Sequence, residues 1–142
     1  INMGREIKSN IVTDCKFKNI PIYKSISAGY GSYENEIENY ISVVNFNDVF
    51  TGDVFGVVVK GDSMEDTILD GTIVFIKKCD DIPFGKIGAF MLNGCAYLKR
   101  LCEKEGEMVL RSDNSYYDDI EIKASDDFTI VGLYKGTLSI AK

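Results

Sequence analysis

Val54-Phe55-Gly56-Val57-Val58-Val59-Lys60-Gly61-Asp62-Ser63-Met64-Glu65-Asp66-Thr67-Ile68 runs a short apolar stretch into a glycine-led turn that presents a serine, with Asp70-Gly71 close behind. The apolar run has strand length and β-branched composition, and Gly61 permits the sharp turn after it. Downstream the pattern repeats. Thr72 to Lys78, Ile87 to Leu92, Cys95 to Leu101, Met108 to Ser112 and Phe128 to Gly136 all read as strands. Asn93-Gly94 and Glu105-Gly106 mark tight turns between them. Upstream, Ile20 to Ser27 reads as extended because Pro21 disfavours helix around it, and strands resume from Tyr40. Many short strands predict a compact, mostly-β domain of bent antiparallel sheets. Only Ser63 to Leu69 reads as a possible helical turn, and no internal repeat is visible.

Apolar residues make up 45% of the 142, enough to build a core for one domain. The formal charge of −6 and pI near 4.7 are a poor match to phosphate backbones. These residues are therefore not expected to touch DNA themselves, and the acidity also fits simple solubility. Four cysteines, Cys15, Cys79, Cys95 and Cys102, have no CxxC spacing. With no histidine in the chain, no metal site and no cofactor are expected. Cys79, Cys95 and Cys102 read as small core residues, which implies a reducing, cytoplasmic setting. No secretory signal or membrane-length apolar run is visible, so no membrane partner is expected. Residues 1–19 read as a linker or arm, 20–39 as a separate loop-bearing region, and 40–142 as the folded domain. The start at Ile1 reads as the edge of something longer.

A serine hydroxyl attacks only when a base removes its proton, and the absence of histidine excludes a Ser-His-Asp arrangement. Lysine is the strong remaining candidate. Lys99 sits within Ala96-Tyr97-Leu98-Lys99-Arg100-Leu101, sharing a strand face with Tyr97 and Leu101. A lysine in water would cost about 4.6 kcal/mol to deprotonate at pH 7, and burial reduces that cost. The backbone N–H groups of Asp62 and Ser63 are candidate oxyanion donors at the turn. Taken singly, each residue also has a plain structural reading. Ser63 fits a helix N-cap with Asp66 in the capping-box position, and Lys99 fits a solvent-facing strand position.

Taken together, Gly61-Asp62-Ser63-Met64, Thr67, Asp70-Gly71, Lys99-Arg100-Leu101, Arg111-Ser112-Asp113-Asn114-Ser115-Tyr116-Tyr117 and Ile130-Val131-Gly132 occur in order. This succession resembles the LexA-like self-cleaving repressors, which include lambda-type phage repressors and the UmuD mutagenesis proteins. The resemblance runs from about Pro21 to Gly136. It implies a dimerising Ser-Lys peptidase domain with Ser63 as nucleophile and Lys99 as general base. It also implies cleavage of the chain's own Ala28–Gly29 bond, which lies in a small-residue context, Ser27-Ala28-Gly29. Asp66 and Ser115 stand where many relatives carry proline. The partners implied are a second copy of the chain, a RecA filament on single-stranded DNA as activator, and operator DNA through an N-terminal domain not in this sequence. The wording of Ser112-Asp113-Asn114 favours a repressor of the SOS or phage type. The alternatives are a UmuD-like polymerase accessory protein and a dimerisation module with an inactive dyad. A type I signal peptidase is disfavoured by the lack of any membrane anchor.

Overall fold

The computed structural model describes residues 17–44 and 50–138. Nine strands form one hydrogen-bonded sheet: β1 (Phe17–Tyr23), β2 (Ile37–Val44), β3 (Val54–Val58), β4 (Ile73–Lys78), β5 (Ile87–Leu92), β6 (Cys95–Lys104), β7 (Glu107–Arg111), β8 (Ile120–Glu121) and β9 (Phe128–Leu138). Their order across the sheet is β2-β1-β3-β4-β9-β5-β6-β7-β8. Every pairing is antiparallel except β1 with β3, which is parallel. The expected mostly-β fold is thus observed, with a parallel pair and the two-residue strand β8 added to it. β1 begins at Phe17, inside the stretch read as an arm. Cys15 and the rest of that arm lie outside the described residues.

The central strands are apolar on both faces: β3, β4 and β5 each open with four buried residues. Three apolar clusters follow from this. One gathers Phe55, Val57, Val74, Ile76, Ala89 and Val131 around the Ser63 turn. A second joins Ile20 and Ile22 to Phe75, and a third packs Phe90, Leu101 and Leu110. The register shifts where β9 meets β4, between Phe75 and Ile76, and where it meets β5, between Ala89 and Phe90. Such bulges bend a sheet and increase its local twist. The Asn93-Gly94 and Glu105-Gly106 turns form as read, all four residues at positive φ.

Two local expectations fail. The extended segment read over Ile20 to Ser27 ends at Tyr23 with β1, and Ile26–Gly31 forms a short helix, α1. The Ser25 hydroxyl caps it by accepting from the Ala28 N–H at 3.1 Å, and Ala28 and Gly29 face inward. Pro21 keeps its extended conformation within β1, and its influence does not reach Ser25, where hydroxyl capping and burial of small residues start the helix. Cys95 is not a core residue; it lies exposed beside the β5–β6 turn, while Cys79 and Cys102 are half-buried.

Gly132 in β9 packs directly against β4, with no room for a side chain. A Cβ there would lie 2.3 Å from the Lys77 carbonyl oxygen and 2.7 Å from the Ile76 side chain. Backbone cannot yield as a flexible side chain does. Gly132→Ala is expected to destabilise the domain by about 1–3 kcal/mol, read as a lower urea midpoint in circular dichroism.

Candidate active site

Ser63 sits in the turn after β3, and two buried anchors fix that turn. Met64 and Ile68 are 2% and 1% exposed, inserted in the cluster beneath. Gly61 takes φ +99°, a conformation closed to most side chains, and its N–H donates to the Asp70 carboxylate at 2.7 Å. The Ile68 N–H to Met64 carbonyl bond, 2.8 Å, supplies one helical turn. The capping-box reading does not hold: among the described residues neither the Ser63 hydroxyl nor the Asp66 carboxylate makes a hydrogen bond. Ser63 keeps an uncommitted hydroxyl, half-buried at the rim of a cleft of about 300 Å³.

Lys99 opens into the same cleft from β6, together with Tyr97 and Leu98. It is 7% exposed, so the solvent-facing reading is excluded. Burial pulls its pKa below the ordinary lysine value, because the ammonium form loses hydration that the amine does not need. Its Nζ donates to the Ser112 Oγ at 2.7 Å and lies 5.6 Å from the centre of the Tyr117 ring. A second cleft on the other side of the pair is lined by Asp62, Ser63, Lys99, Ser112 and Tyr117. Ser63 and Lys99 are therefore brought to one site, between two openings. The backbone N–H groups of Asp62 and Ser63 have no acceptor among the described residues, which leaves both open to an incoming oxygen.

The segment after β7 ties Lys99 and the Ser63 turn together. Arg100 opposes Arg111 across β6 and β7, so Ser112, one residue beyond β7, falls across from Lys99. Asp113 accepts from Arg100 Nε and Nη2, at 3.0 and 2.8 Å, and from the Thr67 hydroxyl of the Ser63 turn. Asn114 donates its N–H to the Ser63 carbonyl and its side-chain amide to the Asp62 carbonyl, each at 3.0 Å. Tyr117 donates its hydroxyl to the Asp62 carboxylate, which holds the ring beside Lys99 and pushes the phenol pKa up. Sequence reading assigned no site role to Ser112, Asp113, Asn114 or Tyr117. They were visible as a polar run between strands, but nothing local says that this run crosses to the Ser63 turn.

Ala28 and Gly29 line neither cleft. Ser25 and Ile26, just before them, do line the first. The Ala28 carbonyl accepts from the Tyr33 N–H and the Gly29 N–H donates to the Ser25 carbonyl, each at 3.1 Å. Phe55 covers Gly29 so closely that a Cβ would overlap its ring. Lys78 closes the other end of α1, reaching the Ser32 hydroxyl at 2.7 Å and the Tyr30 carbonyl at 3.3 Å.

This arrangement, a strand-borne buried lysine facing a serine turn in a mixed β-sheet, is that of a serine-peptidase-like domain. The chain belongs to the peptidase S24-like family, which matches residues 21–134. It is 33% identical to the LexA repressor of Syntrophomonas wolfei over 106 residues, covering 72% of this chain and 51% of that protein. It is 33% identical to the LexA repressor of Thermosipho africanus over 127 residues, 85% of this chain and 62% of that protein. The LexA repressor of Opitutus terrae shares 32% over 129 residues, 87% of this chain and 62% of that protein. The chain thus spans between half and two thirds of the length of these relatives. Among the described residues no helix is long and apolar enough to cross a membrane, and no three potential metal ligands converge.

The Arg100–Asp113 pair carries a pH signature. The Arg100 hydrogen bonds hold the Asp113 carboxyl below the usual carboxylate range. A carboxylate depressed in the folded state stabilises above its unfolded value and loses that contribution as pH falls through the folded value. Asp113→Asn is expected to cost roughly 1.5–3 kcal/mol at pH 7, toward the low end because Arg100 is one-third exposed. The difference from wild type should shrink as pH drops below about 4, measured by urea unfolding at stepped pH.

Proposed function

We propose that the chain cuts its own backbone between Ala28 and Gly29, with Ser63 as nucleophile and Lys99 as general base. The observation that carries this reading is the buried, pKa-lowered amine of Lys99 sharing a cleft with the uncommitted hydroxyl of Ser63. The amine takes the Ser63 proton as Oγ bonds to the Ala28 carbonyl carbon. The Asp62 and Ser63 N–H groups receive the oxygen that turns negative, and the ammonium returns a proton to the Gly29 nitrogen as the C–N bond breaks. Water then releases the acyl group from Ser63. The substrate is tethered, so a high effective concentration replaces affinity.

Control lies in the substrate segment. With both polar groups of the bond engaged inside α1, attack requires that the helix unwind and the bond slide toward Ser63 from Ser25 and Ile26, already at the cleft. Whatever stabilises the unwound, docked segment speeds cleavage. In the parent protein, cleavage would separate a DNA-binding portion from this dimer-forming domain and relieve repression. A RecA filament on single-stranded DNA is the activator that the resemblance to the LexA-like repressors implies. The similarity to LexA repressors supports a repressor over a polymerase accessory protein or an inactive dimerisation module.

Incubation at rising alkaline pH should release a fragment beginning at Gly29, identified by intact mass and N-terminal sequencing. Rising pH removes the Lys99 proton and supplies the base without an activator. Ser63→Ala and Lys99→Ala should each leave the chain whole; cleavage in either variant rules the pair out. Removing the helix cap with Ser25→Ala, worth about 1 kcal/mol, should populate the unwound segment about fivefold more. Self-cleavage is then expected to rise by a similar factor, read by the loss of intact chain with time.

A further inference from the structure

Lys99 and Ser112 are the two buried polar residues among the described part of the chain, 7% and 5% exposed, and they are bonded to each other. We infer that Ser112 is a positioning residue for the base: its Oγ holds one N–H of the Lys99 amine and so turns the nitrogen lone pair toward Ser63. The inference rests on the reading of Ser63 and Lys99 as the cleaving pair.

A neutral primary amine carries two N–H groups and one lone pair at the end of a four-carbon stem. Burial makes the amine basic at a lower pH but leaves the direction of the lone pair undefined. Fixing one N–H on a stationary acceptor removes most of that freedom. Ser112 is stationary for reasons outside the pair. It follows β7 directly, in register with β6, and the next residue, Asp113, is clamped by Arg100 and Thr67. Asp113 also donates its N–H to the Met64 sulfur at 3.4 Å, which ties the same backbone to the nucleophile turn. The base and the serine are thereby aligned by one short segment.

Proton accounting assigns Ser112 no transfer of its own. The Ser63 proton goes to the Lys99 lone pair and leaves again to the Gly29 nitrogen. Throughout, the Ser112 oxygen accepts from Nζ, more strongly while the nitrogen is an ammonium. The charged and titratable groups around the two clefts are Lys24, Lys60 and Tyr97 on one side with Asp62, Tyr117 and Asp118 on the other. None accepts a hydrogen bond from Nζ, and burial is what lowers the Lys99 pKa. Ser112 thus favours the charged form slightly while orienting the neutral one. Its removal has two separable effects: the Lys99 pKa falls further, and the neutral amine loses its aim.

The test uses the 142-residue chain. In Ser112→Ala the plateau rate of self-cleavage at high pH should fall on the order of 10- to 100-fold, while the inflection of the pH profile moves to lower pH. A merely structural residue would lower the rate in parallel at every pH. Ser112→Thr keeps an oxygen in place and should restore the plateau to within about threefold. Ser112→Cys keeps the shape but accepts poorly and should resemble Ser112→Ala, which covers the case in which alanine fails to fold. In a Ser63→Ala background, which cannot cleave, an NMR titration of the Lys99 ε-methylene should show the same downward move on adding Ser112→Ala. A wild-type plateau and inflection in folded Ser112→Ala or Ser112→Cys overturns the role of Ser112 and leaves the dyad intact. Cleavage in Ser63→Ala or Lys99→Ala overturns the dyad itself.

Discussion

One lysine amine withheld from water sets the terms for this domain. An ammonium buried without partners is costly, and a carboxylate beside it would hold the proton in place. Among the described residues no carboxylate pairs with Lys99, and burial denies the amine free hydration. The fold offers one neutral hydroxyl, the face of one tyrosine ring and the apolar walls of the cleft. Burial pushes the pKa down and the ring opposes it, with burial prevailing. That balance needs a strand position turned into the packed side of the sheet, and Lys99 and Leu101 are the two buried positions on one face of β6.

The Ser63 turn is held by more than its own hydrogen bonds. It is held from below by Met64 and Ile68 and from above by Thr67, Asn114 and Tyr117 contacts to the segment after β7. Because that segment also supplies Ser112, a shift of β7 would move Lys99 and the Ser63 turn together. Arg100 adds a third tie, joining Asp113 to the Gly85 carbonyl through the same guanidinium.

The Ala28–Gly29 bond, the substrate in the function proposed above, is held in a conformation that protects it. A peptide bond inside a capped helical turn, covered by Phe55 and closed by Lys78, has no carbonyl to offer. A short helix of this length has little stability alone, so its persistence comes from packing against β3 and from its caps. Such a segment responds to small energies. If Ala28–Gly29 is cut as proposed, the extended form that attack needs is in conflict with the helix that the cap and the packing favour.

Alternating and β-branched runs separated by Asn93-Gly94 and Glu105-Gly106 determined most of the strands, since strand period and turn chemistry are local properties. Composition determined that a serine nucleophile would have to work without histidine, and the ordered motifs pointed to Ser63 and Lys99. Helix α1 was misread because its formation depends on a hydroxyl cap and on a pocket beside Phe55 contributed by a distant strand. The exposure of Cys95 was misread because the hairpin turn lifts it from the core. Ser112, Asn114 and Tyr117 gained their roles only through register: pairing of β6 with β7 decides which hydroxyl faces the amine. A run of residues states its own conformational preference, but which side chains meet across strands far apart in sequence is settled by packing of the whole sheet.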